Sequence, residues 1–193
     1  MAICGGDLLA GDFALDCDNK PIAGLTERIA LINFDDIDRA TTTRNAANTI
    51  VTNLALDYGK VAYELQGVKR SNAALASLVK KDLDLDKWNH GINGMVFNVV
   101  AETIDQLNRL STGGRVVAVV ERKFKGADQE AAFFVLGLDS GLELATVEYN
   151  SNENGGSIPI TLTSVAEEEE PYFPATWLET DYATTLAAFD ALF

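Results

Sequence analysis

The run Val116-Val117-Ala118-Val119-Val120 limits the fold more than any other part of the chain. In a strand, successive side chains point to opposite sides. Five apolar residues with no polar one between them therefore cannot lie on a surface with one face in water. The β-branched content favours an extended backbone. The segment reads as a strand buried on both faces, which other parts of the chain must cover on each side. The chain has 193 residues. That suits one domain, at roughly 150 residues per domain, or one domain with arms. Such a chain buries about two-thirds of its unfolded surface and needs neither a disulfide nor a metal to fold.

The neighbouring segments are mostly strand-like. Arg28 to Phe34 is strand-like and is closed by Asp35, Asp36 and Asp38. The runs 48–56 and 60–65 flank Asp57-Tyr58-Gly59, which predicts a hairpin with Val61, Tyr63 and Leu65 on one face. Residues 69–91 fit either a helix from Asn72 to Lys81, capped by Ser71, or an extended excursion. Met95 to Val100 reads as a strand. Ile104, Leu107 and Leu110 recur at helical spacing ahead of Gly113-Gly114, which predicts a helix over 102–111. Ala131 to Leu138 continues the sheet. Glu143–Tyr149 and Ser157–Val165 predict a second hairpin, with Ile158, Ile160 and Leu162 inward. The fold class is mainly β (α+β). The expectation is an antiparallel β-barrel or sandwich of about eight to nine strands with one central helix, since closure or stacking hides strand edges. The domain spans 25–165, between an N-terminal arm (1–24) and an acidic C-terminal tail (166–193) with a short helix.

Charge restricts the partners. The chain carries 15 Lys+Arg against 29 Asp+Glu, a net of −14. All 15 basic residues precede position 126, and residues 126–193 are net −13. Such a surface repels polyphosphate, so conventional nucleic-acid binding and attachment to anionic membranes are disfavoured. A basic partner, or a wall to which DNA must not adhere, fits better. No apolar run reaches the ~18–20 residues of a spanning helix, and with no basic n-region or long apolar stretch behind Met1 no signal peptide is expected. Cys4 and Cys17 are expected to be unpaired.

Catalytic chemistry is nearly absent from the sequence. Asp16 and Asp18, and separately Asp82, Asp84 and Asp86, have the spacing of a calcium loop. Lys20-Pro21 and Lys87 stand where that loop needs an oxygen ligand and a sharp-turning glycine. His90 is the single histidine, with no nucleophile motif beside it. Gly137-x-x-x-Gly141 lacks the Lys-Ser/Thr of a phosphate loop. No catalytic residue, cofactor or metal is expected. Glu167 to Glu170 reads as a solvated charge run, or as an electronegative wall or docking site for a basic partner. Phe13 and Leu15 at one end, and Tyr172, Phe173, Trp177 and Phe189 at the other, lie outside the predicted sheet. They either pack on it or reach neighbouring subunits. Trp88 and the basic pairs Lys69-Arg70 and Lys80-Lys81 are further interface candidates.

The order of strands, polar excursion, strand, helix, hydrophobic strand and hairpins resembles the tail tube proteins of tailed bacteriophages, related in architecture to type VI secretion tube proteins. The pieces that carry the resemblance are Trp88 to Phe97, the helix 102–110, Val116 to Glu121 and Phe133 to Gly141. The resemblance implies a non-enzymatic virion protein, made in the host cytoplasm, that forms six-membered rings. Those rings would stack into a conduit through which DNA passes without specific binding. In that arrangement Glu143, Glu148 and Glu153 are candidates to line the lumen. The alternatives are another virion component, such as a neck, connector or capsid decoration protein, or a soluble β-sandwich binding module.

Overall fold

The computed structural model describes residues 11–13, 18–68 and 71–193. In chain order its elements are β1 (Leu25–Asn33), β2 (Thr43–Arg44), β3 (Ile50–Asn53), β4 (Tyr63–Gln66), β5 (Ala73–Val79), β6 (Lys87–Val96), α1 (Ala101–Ser111), β7 (Val116–Arg122), β8 (Phe133–Leu136), β9 (Leu142–Val147), β10 (Ile158–Ser164), β11 (Ala175–Trp177) and α2 (Tyr182–Asp190). The strands form one bent sheet with two wings. One wing runs β4-β1-β7-β8-β11-β3-β2, and the other runs β9-β10-β6-β5. Between β7 and β9 the ladder is a single pair, Val116 with Leu142. The wings fold over each other as a sandwich, and the sheet does not close into a barrel. β2, β4 and β5 are open edges.

β7 has the environment its sequence demands, with Val116 to Val120 all buried. Val116, Ala118 and Val120 face the core between the wings, with Ile29, Leu65, Ile92, Leu142, Ile160 and Leu162. Val117 and Val119 face a second core on the other side, with Ile32, Val51, Phe133, Trp177, Phe189 and Leu192. Where the wings meet, β6 carries Gly94. A methyl group of Leu65 lies 2.6 Å from the place a Cβ would occupy there, so a larger residue would have to push the Leu65 side chain aside.

The second core corrects the reading of the C-terminal residues. The segment 166–193 supplies β11 and α2 to the body of the protein. β11 sits between β3 and β8, parallel to the first and antiparallel to the second. α2 is capped by the Asp181 carboxylate, which accepts the Thr184 N–H at 2.7 Å. It lays Phe189 on Phe133, with ring centroids 5.3 Å apart. Arg28 holds the far end of α2 through Asp190 at 2.6 Å, with its guanidinium 4.7 Å from the Phe193 ring centroid. Trp177 and Phe189 are therefore buried in their own chain, which removes them as interface residues.

Two local expectations also change. The turn at Asp57–Lys60 exists, with Lys60 N–H donating to Asp57 O and Gly59 at φ 78°. The strands it joins do not pair with each other. β3 and β4 lie towards opposite ends of the same wing, and Val51 of β3 belongs to one core while Leu65 of β4 belongs to the other. Of the trio predicted on one face, Leu65 is buried while Val61 and Tyr63 are exposed. Residues 73–79 are β5, which selects the extended reading over the helix. The predicted central helix is α1, ending in Gly113 at φ 94°. Among the described residues no helix is long and apolar enough to cross a membrane.

Truncating a buried phenylalanine loses apolar contact and leaves a cavity. Phe189→Ala is expected to lower unfolding free energy by about 3 kcal/mol in urea denaturation. Phe13→Ala, at a side chain 93% exposed, is expected to leave it unchanged.

Candidate assembly surface

The acidic run 167–170 is a clasp between the wings. The Glu170 backbone bridges Trp88 in both directions, at 2.7 and 2.9 Å. Its side chain is buried and accepts the N–H groups of Asp139 at 3.0 Å and Ser140 at 2.8 Å, in the β8–β9 turn. Lys81 reaches Glu167 at 2.9 Å and Glu169 at 3.1 Å, and Arg115 reaches Glu168 at 2.6 Å. The reading of this run as a free, solvated tail is thereby corrected. A four-residue charge run carries no periodicity that would mark one of its members as buried.

His90 completes the clasp. It is buried on β6, and its Nδ1 accepts the Gly137 N–H at 3.2 Å. Nε2 therefore holds the proton and donates to Tyr172 O at 2.9 Å. Burial holds the imidazole neutral, with its pKa pushed down to about 4. Burial pushes Glu170 the other way, up to about 7. The two backbone N–H groups oppose that rise and the neighbouring Asp139 charge adds to it.

β5 is the most open edge. It pairs with β6 alone, and Leu75 and Leu78 are both more than 40% exposed. The turn beyond it carries Leu83, 102% exposed, and Leu85, 72% exposed. An unpaired strand edge offers backbone donors and acceptors to another chain. Lys80 is exposed at the base of this turn. Lys81 is engaged by its own chain's glutamates, so its charge is already matched within the protomer. Trp88 is half-buried, edge-on to Phe173 at 5.1 Å, and Tyr172 and Phe173 are exposed beside it. Phe13 is exposed, while Leu15, Lys69 and Arg70 lie outside the described residues.

The three glutamates considered for a lumen sit in different settings. Glu143 pairs with Arg115 at 3.0 Å on β9, Glu148 is exposed just past β9, and Glu153 is exposed in the following loop. A groove of about 870 Å³ lies between α1, β4 and the end of β6, and nothing in the sequence pattern announced it. No protein-family model and no curated protein sequence matches the chain.

The clasp makes a prediction about pH. A group with a raised folded pKa stabilises below its unfolded value, and this is lost as pH rises through the folded one. A group with a depressed folded pKa stabilises above its unfolded value, and this is lost as pH falls. Between pH 5 and 6.5 the contributions of Glu170 and His90 therefore have opposite slopes and largely cancel. Glu170→Gln leaves the His90 term alone, and stability is expected to fall by about 2 kcal/mol from pH 6.5 to 5. His90→Gln is expected to reverse that slope. Urea titrations across this range would measure both.

Proposed function

We propose that this chain is a self-assembling virion structural protein of the tail-tube type, a subunit of rings that stack into a conduit for DNA. The observation that carries the reading is the open β5 edge, continued by a turn whose leucines have no cover within the protomer. A long apolar edge is an aggregation hazard in a monomer, and regular assembly gives it a use. The mainly β sandwich agrees with the architecture expected of such a subunit. So does the charge of −14, since a channel for DNA functions by repelling its cargo. Glu148 and Glu153 are exposed and able to face a bore. The clasp steadies the turn end of the β5–β6 hairpin, because Lys81 and Trp88, which flank the turn, are both tied to the 167–170 segment.

Purified protein at high concentration is expected to form rings or tubes in electron microscopy. Leu83→Asp with Leu85→Asp is expected to leave the far-ultraviolet circular dichroism unchanged. The same pair should reduce assembly at least tenfold in light scattering. A strictly monomeric wild-type chain, or assembly indifferent to these substitutions, would overturn the proposal.

A further inference from the structure

The chain contains two Asn-Gly pairs, Asn93-Gly94 and Asn154-Gly155. In such a pair the main-chain nitrogen after the asparagine can attack the side-chain carboxamide, and glycine puts no Cβ in the way. The fold treats the two pairs differently. Asn93 lies in β6, in register with Ala73 of β5 on one side and Thr161 of β10 on the other. Its side-chain oxygen accepts the Thr161 hydroxyl at 3.1 Å, and Gly94 is buried. Asn154 and Gly155 are both exposed, in the loop between β9 and β10. Asn154, Gly155 and Gly156 have φ of 53°, 64° and 82°, three left-handed residues in succession. Gly156 N–H donates to Glu153 O at 3.0 Å, and Ser157 N–H donates to Asn154 O at 3.2 Å. The Gly155 N–H and the Asn154 carboxamide have no hydrogen-bond partner among the described residues. The place a Cβ would occupy on Gly155 has nothing within 4 Å, so that side of the backbone is open to solvent.

We propose that Asn154-Gly155 is a site of spontaneous covalent modification, and that the strand ladders protect Asn93-Gly94 from the same reaction. The Gly155 nitrogen gives up its proton to water and bonds to Cγ of Asn154. The carboxamide C–N bond breaks, and its nitrogen takes a proton from water and leaves as ammonia. The product is a five-membered succinimide, to which one water then adds. Opening at Cγ gives an aspartyl residue. Opening at the main-chain carbonyl gives an isoaspartyl residue, whose main chain runs through the former side chain. The attack requires the main chain to rotate about Asn154. A loop allows this, and a strand held on both sides resists it. Either product sets a new carboxylate beside exposed Glu153 and adds one negative charge to the net of −14. The isoaspartyl form also lengthens the main chain within the turn that joins β9 to β10. The inference does not depend on assembly into rings.

The second pair makes the test internal to one chain. Folded protein is incubated in warm, mildly alkaline buffer and sampled over time by tandem mass spectrometry of its peptides. Asn154 is expected to convert at least tenfold faster than Asn93, with aspartyl and isoaspartyl products both present. The rate should rise with pH, because the attacking group is the deprotonated amide. In guanidinium chloride the ladders are gone, and the two sites are expected to convert at similar rates. Ion exchange of the intact folded chain should show an acidic species that grows with time. Asn154→Gln is expected to remove the main component of that species and to leave the circular dichroism unchanged. Three outcomes would overturn the proposal: equal rates at the two sites in the folded chain, faster conversion at Asn93, or a folded Asn154 that stays intact while the unfolded chain reacts.

Discussion

β7 is the strand on which the rest depends. Its five central side chains are removed from water on both faces, and each buried valine contributes about 1.5–3 kcal/mol relative to exposure. That stabilisation exists only if two separate layers are brought to it. One is the β9-β10-β6-β5 wing. The other is assembled from β11, α2 and the loops around β3. The layered shape and the recruitment of residues 175–193 into the body are two answers to the same requirement.

Much of this was legible in the residues. Val116 to Val120 announced two buried faces, and the clean alternation of Ile158, Ile160 and Leu162 fixed the inward side of β10. The helical spacing of Ile104, Leu107 and Leu110 located α1 to within a residue at its start. What could not be read was partnership. A turn signal at Asp57–Gly59 says that the chain bends. It does not say whether the strands on either side will pair with each other. The aromatic residues beyond Pro174 looked like a tail because three-residue β11 is too short to show a period. Its neighbours in the sheet lie far away in sequence.

The polar centre was the least legible part. Glu170 stands in a run of four glutamates, and its burial follows from the tertiary meeting of the β8–β9 turn with the bridge at Trp88. His90 was visible as a single histidine, yet its role comes from the Gly137 N–H that fixes its tautomer. Both spend their hydrogen bonds on backbone, which is the behaviour of residues that hold segments in register.

The placement of β11 between β3 and β8 has a consequence for how the molecule is made. Thr176 pairs with Ile50 on one side and Phe134 on the other, so both partners of one short strand lie far from it in sequence. Contacts of such long sequence separation form slowly, because the loop entropy is lost before the pairing compensates for it. Until β11 arrives, the half-formed sheet shows two raw backbone rows and an uncovered Phe133. A chain in which β11 has not yet docked therefore exposes strand edges that the folded protein keeps paired.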